Sequence, residues 1–127
     1  MTQYSITYKR GDVVLVHFPF TDCSNKKQRP AVVLSADWYS TSCQDVIIAA
    51  LTCQHTDKIY RGEYKLTEED LKSAQMPKPS KIKIGKLFTI EKKMIIKKCG
   101  NLSTATLITI SDKLKDILSI RDNENTL

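Results

Sequence analysis

A chain of 127 residues, 41% hydrophobic and 27% charged, fits one globular domain with a sizeable core and excludes both disorder and a second domain. Its longest apolar run, VIIAAL at 46–51, is far short of a membrane span, and MTQYSITYKRGD at the start has no apolar h-region with a small-residue cleavage site. A net charge of +6 points toward polyanionic partners rather than a membrane, and a cytoplasmic protein is expected.

In chain order, residues 12–18 and 30–35 read as buried strands, and Arg29 and Pro30 stand at the mouth of the second. Trp38 is expected in a loop. Residues 45–52, DVIIAALT, read as a third strand whose continuous apolar run calls for cover on both faces. His55 is read as a loop histidine. A fourth strand is expected at 62–66, and Thr67 before Glu68, Glu69 and Asp70 is a capping pattern opening a short helical turn that MPKPS ends. Strand alternation returns at 81–88, followed by a short helix at 91–96 and a short strand near 97–102. Ser103 is a good N-cap, and Leu107, Ile110, Leu114, Ile117 and Leu118 recur at helical spacing, so an amphipathic helix covers a small barrel. The tail, 121–127, is expected to fray. Cys23, Cys43, Cys53 and Cys99 make no C-x-x-C pair, so neither a zinc site nor a disulfide framework is signalled.

The charge is concentrated. Segment 78–98 carries eight lysines against the single acid Glu91, or +7, which leaves the rest of the chain at −1. Lysines clustered in this way gain affinity for phosphates by releasing condensed counterions, although a solvated lysine-rich face has the same composition. Lys81 and Lys83 alternate with Ile82 and Ile84, so on a strand both lysines share one face, and Lys86 follows close behind.

GDVVLVHFPFTD, then KKQRPAVVLS, then DVIIAALT, then PSKIKIGKLFTIEKKMIIKKCGNLS and a terminal helix resemble, in that order, the PemK/MazF family of toxin endoribonucleases over residues 9–118. The specific signals are G-D-x-V opening the first strand, R-P at the second and a hydroxyl residue ending the third. The resemblance implies a mainly β, SH3-like small barrel with a C-terminal amphipathic α-helix, usually a homodimer, whose cognate antitoxin binds and silences it. It implies cleavage of single-stranded RNA at short sequence motifs without metal or other cofactor. Arg29 then matches the catalytic arginine, whose planar fork holds phosphate oxygens without losing its charge, and Thr52 matches the hydroxyl that orients the phosphate. Lys81, Lys83 and Lys86 are expected to contact RNA, as are Gln54 and, in the loop 20–28, Asp22, Lys26 and Lys27. Gly85 stands where some relatives carry a carboxylate, so any general base must be water or another residue. Two other readings stay open: a non-catalytic barrel binding nucleic acid through its lysine strand, and a protein-directed, gyrase-type toxin. The second is disfavoured by a polar NENTL tail without tryptophan.

Overall fold

The structure, a computed structural model, describes residues 7–17 and 28–121. These form strands β1 (Asp12–His17), β2 (Gln28–Val33), β3 (Asp45–Thr52), β4 (Glu63–Lys65), β5 (Lys81–Glu91) and β6 (Ile95–Asn101), and helices α1 (Asp37–Ser42), α2 (Glu68–Ala74) and α3 (Thr104–Leu118). The strands make one sheet in the order β4-β5-β3-β2-β1-β6, every recorded pairing antiparallel. This is the mainly β, barrel-like fold with a C-terminal helix that the sequence implied, left open between β4 and β6. Among the described residues no helix is long and apolar enough to cross a membrane.

The continuous apolar run of β3 has the cause expected of it. Alternate side chains go to opposite faces, and both faces are covered. Val46 and Ile48 pack with Val14, Val16 and Val33, whereas Ala49 and Leu51 pack with Ile82 and Ile84 and, from the helices, Ala74, Leu107 and Ile110. Helix α3 is buried along Leu107 and Ile110, but Ile117 and Leu118 in its last turn are exposed instead of in the core.

The G-D-x-V signal is structural. Gly11 has φ +98, a backbone conformation that L side chains rarely adopt, and a Cβ there would also lie 2.7 Å from Leu107 Cδ1 and push it aside, so glycine suits this turn into β1. Asp12 is buried, and its Oδ2 accepts from the Lys9 amide at 2.8 Å and pairs with Lys98 Nζ at 3.4 Å.

Local signals mark both later helices. The Ser103 hydroxyl accepts from the Thr106 amide at 3.2 Å, and Thr67 forms a capping box with Asp70. Asp70 does more than cap. It is buried, accepts from the Tyr64 hydroxyl at 2.6 Å and the Thr106 hydroxyl at 2.7 Å, and so ties α2 to β4 and α3. Burial alone would raise its pKa, but the donors from Tyr64, Thr67 and Thr106 outweigh that and hold it below its ordinary value. Burial and the bond to Asp70 push Tyr64 up to about 12. Replacing Asp70 by Asn turns one donor end, the amide NH2, toward these donors and is expected to cost about 2 kcal/mol at neutral pH. Because folding lowers this pKa, the stabilisation is complete above the unfolded value of about 3.9 and is lost as pH falls through the folded one. Thermal melts from pH 6 to pH 2 should therefore fall less steeply for Asp70→Asn than for the parent; parallel curves would refute the assignment.

Three local expectations differ. Trp38 lies on α1, not in a loop; its N-cap, Ala36, makes no side-chain cap hydrogen bond, so no capping signal announced the helix. Residues 91–96 hold only a 3-10 turn, Lys92–Met94, because β5 runs on to Glu91 and β6 begins at Ile95. β2 starts at Gln28, so Arg29 and Pro30 lie inside the strand; the ladder with β3 begins only at Ala31, which leaves room for a residue without an N–H.

Candidate active site

Arg29 near the start of β2 and Thr52 at the end of β3 lie at neighbouring ends of two paired antiparallel strands. The β2–β3 pairing sets Ala31 opposite Ala50, Val32 opposite Ala49 and Val33 opposite Ile48. The ladder ends at the pair Ala31 and Ala50; Arg29 on β2 and Thr52 on β3 lie just beyond it, and by strand alternation they take the face of Ala31 and Ala50. Arg29 is exposed and Thr52 half-buried. Among the described residues nothing accepts a hydrogen bond from the Arg29 guanidinium, whereas Thr52 Oγ1 accepts from the Gln54 amide at 3.1 Å. That bond occupies a lone pair and leaves the hydroxyl proton free to donate. Gln54 itself is exposed just beyond.

The same face continues onto β5 and β4. Thr52 lies opposite Lys81, and Lys81 opposite Lys65; Ala50 lies opposite Lys83, and Lys83 opposite Glu63. Lys83 is half-buried and flanks the small side chain of Ala50, so the way from Arg29 and Thr52 to its ammonium is not walled off. Lys86 is exposed. The β3–β5 register jumps from Ala50 opposite Lys83 to Ala49 opposite Leu87, so Ile84, Gly85 and Lys86 bulge out of the ladder and Lys86 leaves the strand alternation.

Lys81 departs from its expected place in an exposed patch. It is 2% exposed, its Nζ donating to Glu63 Oε1 at 2.8 Å and to the Lys58 carbonyl at 3.0 Å. An ammonium so deep would be costly without a partner, and this one is taken up inside the protein. The sequence reading missed that partner. Glu63 Oε1 also accepts from the Tyr60 amide at 3.0 Å. Burial alone would raise the Glu63 pKa, but the bonds from Lys81 and the Tyr60 amide, with the charges of Lys81 and Lys83, hold it below its ordinary value. The face that lacks a carboxylate at Gly85 thus carries one from β4. No local pattern announces it, since only the β4–β5 register sets Glu63 against the lysines. Asp22, Lys26 and Lys27 lie outside the described residues, as do Cys23 and the tail from 122 onward.

A family model described as PemK-like, MazF-like toxin of type II toxin–antitoxin system matches residues 9–118. No curated protein matches the chain in sequence. Among solved structures, an endoribonuclease in complex with its cognate antitoxin from a mycobacterial species superposes with TM-score 0.74 at 16% identity, covering 91% of this chain and 99% of that one. A MazE–MazF complex from Deinococcus radiodurans gives TM-score 0.74 at 17% identity over 91% of this chain and 100% of the other. Mycobacterium tuberculosis toxin MazF-mt6 gives 0.70 at 14% identity over 87% and 98%. At such identities these likenesses establish a common fold.

Proposed function

Because the chain belongs to the PemK-like, MazF-like toxins of type II toxin–antitoxin systems, we propose that it is an endoribonuclease that arrests growth by cutting single-stranded RNA at short sequence motifs. The observation that carries this reading is the β2–β3 pairing, which brings the strand ends bearing Arg29 and Thr52 to the same side of the sheet's edge, with Arg29 exposed. A phosphodiester held there meets a permanently charged, bidentate donor from β2 and a neutral hydroxyl donor from β3. The cheapest nucleophile is the substrate's own 2′-hydroxyl, tethered beside the phosphorus. Its oxygen bonds to phosphorus as its proton passes to water, negative charge builds on the phosphorane oxygens, and the Arg29 guanidinium stabilises that charge. The bond to the 5′-oxygen then breaks, and that oxygen takes up a proton. Mass spectrometry of RNA fragments made in EDTA is expected to show 2′,3′-cyclic phosphate and 5′-hydroxyl ends. A 5′-phosphate product, or activity lost on chelation and restored by magnesium, would sink the proposal.

Lys83 and Lys86 supply phosphate contacts on either side of the cleaved bond. Each contact to a single strand contributes about 0.7 to the slope of log K against log salt. Lys83→Gln should therefore flatten that slope by about this amount when a non-cleavable RNA is titrated at several salt concentrations; an unchanged slope removes Lys83 from the interface.

Control falls to a cognate antitoxin, as the antitoxin-bound forms of the similar structures support. The expected assembly is an isologous homodimer, for which Ile108, Leu118 and Ile120 supply exposed apolar surface. Sedimentation showing only monomer at micromolar concentration, with activity retained, would overturn that assembly.

A further inference from the structure

Beside Lys83, at the β4–β5 edge of the sheet, lies a cavity of about 400 Å³, lined by Tyr60, Gly62, Glu63, Gly85 and, from α3, Ile117. Two of these residues have no side chain, and Ile117 packs over both: a Cβ on Gly85 would make ordinary contact with Ile117 Cδ1 and Cγ2 at 3.9 Å, and one on Gly62 would lie 3.4 Å from Ile117 Cδ1, so the floor is apolar. Tyr60 stands at the rim with 58% of its surface exposed. The ring is held at its root: its amide donates to Glu63, and the Lys58 and Lys81 ammonium groups lie 5.4 and 5.5 Å from its centroid. An exposed, anchored aromatic ring beside an apolar floor and flanking lysines is a platform on which a nucleobase stacks.

One wall of the cavity is chemically selective. Glu63 Oε1 is occupied by Lys81 and the Tyr60 amide, whereas among the described residues Oε2 has no donor. A carboxylate kept ionised in this way only accepts hydrogen bonds. Adenine, cytosine and guanine each carry an exocyclic amino group that can donate to it. Uracil has no amino group; its single N3–H donor is flanked by two carbonyl oxygens, which a carboxylate repels, so it is the poorer partner. Resting on the nuclease reading above, we propose that this cavity is a nucleobase subsite adjoining the cleavage site, with Tyr60 stacking the base and Glu63 favouring an amino-bearing base over uracil. Lys83 lines both regions and bridges the scissile phosphate to the recognised base.

The test needs no cleavage. The isotope-labelled full chain is titrated with AMP, CMP, GMP and UMP while its amide resonances are followed. Shifts at Tyr60, Gly62 and Gly85 are expected to saturate with at least one amino-bearing nucleotide at roughly tenfold lower concentration than with UMP. Tyr60→Ala should weaken that binding about tenfold, in the range typical of a lost stacking partner, and Gly85→Leu should abolish it by filling the floor. Glu63→Gln should narrow the difference between AMP and UMP. Equal response to UMP overturns the role of Glu63; shifts confined to other residues, or binding undiminished in Tyr60→Ala, overturn the subsite. If Gly85→Leu fails to fold, the exposed Tyr60→Ala variant still decides the question. Nucleotide binding here in a protein that leaves RNA uncut would refute the nuclease reading and leave the subsite standing.

Discussion

Arg29→Ala is expected to slow single-turnover RNA cleavage by about 10²–10³-fold, the usual effect of removing one preorganised donor to a developing oxyanion. The fold should be unaffected, because Arg29 is exposed and makes no described side-chain bond that the truncation would break. Arg29→Lys should recover only part of the rate: the charge stays, but a single ammonium cannot hold two phosphate oxygens in one plane. Parent and variant should share a melting temperature. If Arg29→Ala cleaves as fast as the parent, the catalytic assignment fails, whatever happens to RNA affinity.

Lys81→Ala is expected to show the opposite pattern, a loss of stability without a specific loss of RNA contact. The mutation strands the Glu63 carboxylate, 12% exposed, without the ammonium that compensates it. Breaking a buried pair from one side costs about 3–5 kcal/mol, a large share of the stability of a domain this size. Urea unfolding should show the loss as a lower midpoint with unchanged slope. The double variant Lys81→Met with Glu63→Leu should recover most of it, since two apolar groups replace a pair whose desolvation offset much of its attraction. Under conditions where it remains folded, Lys81→Ala should keep the parent's salt dependence of RNA binding, in contrast to Lys83→Gln. A Lys81→Ala protein as stable as the parent, with a flattened salt slope, would return Lys81 to the RNA-facing surface.

These two residues mark the border between local and tertiary information. Strongly patterned or capped segments were legible directly. The run DVIIAALT named a doubly covered strand, observed as β3 with the same limits, Asp45–Thr52. Thr67 with Asp70 announced a capped helix, and Ser103 with its helical spacing announced α3. The ordered R-P and hydroxyl signals brought Arg29 and Thr52 forward through family resemblance, although nothing in their spacing says that they lie near each other. Their nearness at one end of adjacent strands is a consequence of β2–β3 pairing, whose register is set by which apolar side chains the two cores accept, a property of the whole sheet.

Lys81 and Lys83 make the point most sharply. Period-2 alternation correctly set them on one face of β5, yet alternation carries no information about what covers that face. β4 and the chain before it bring Glu63, Tyr60 and the Lys58 carbonyl over Lys81, while Lys83, one pleat further, lies beside the cavity lined by Gly62 and Gly85. Helix α1 was invisible for a related reason: it is short and has no side-chain cap, so little in its own sequence distinguishes it from a loop. The sequence alone determined strand faces, the capped starts of α2 and α3 and the identity of the charged groups, because these follow from sterics and hydrogen bonding within a few residues. Only the tertiary structure decided which lysine is buried, which carboxylate neutralises it and which cavity stays open, because desolvation and pairing depend on atoms brought together from β4, β5 and α3.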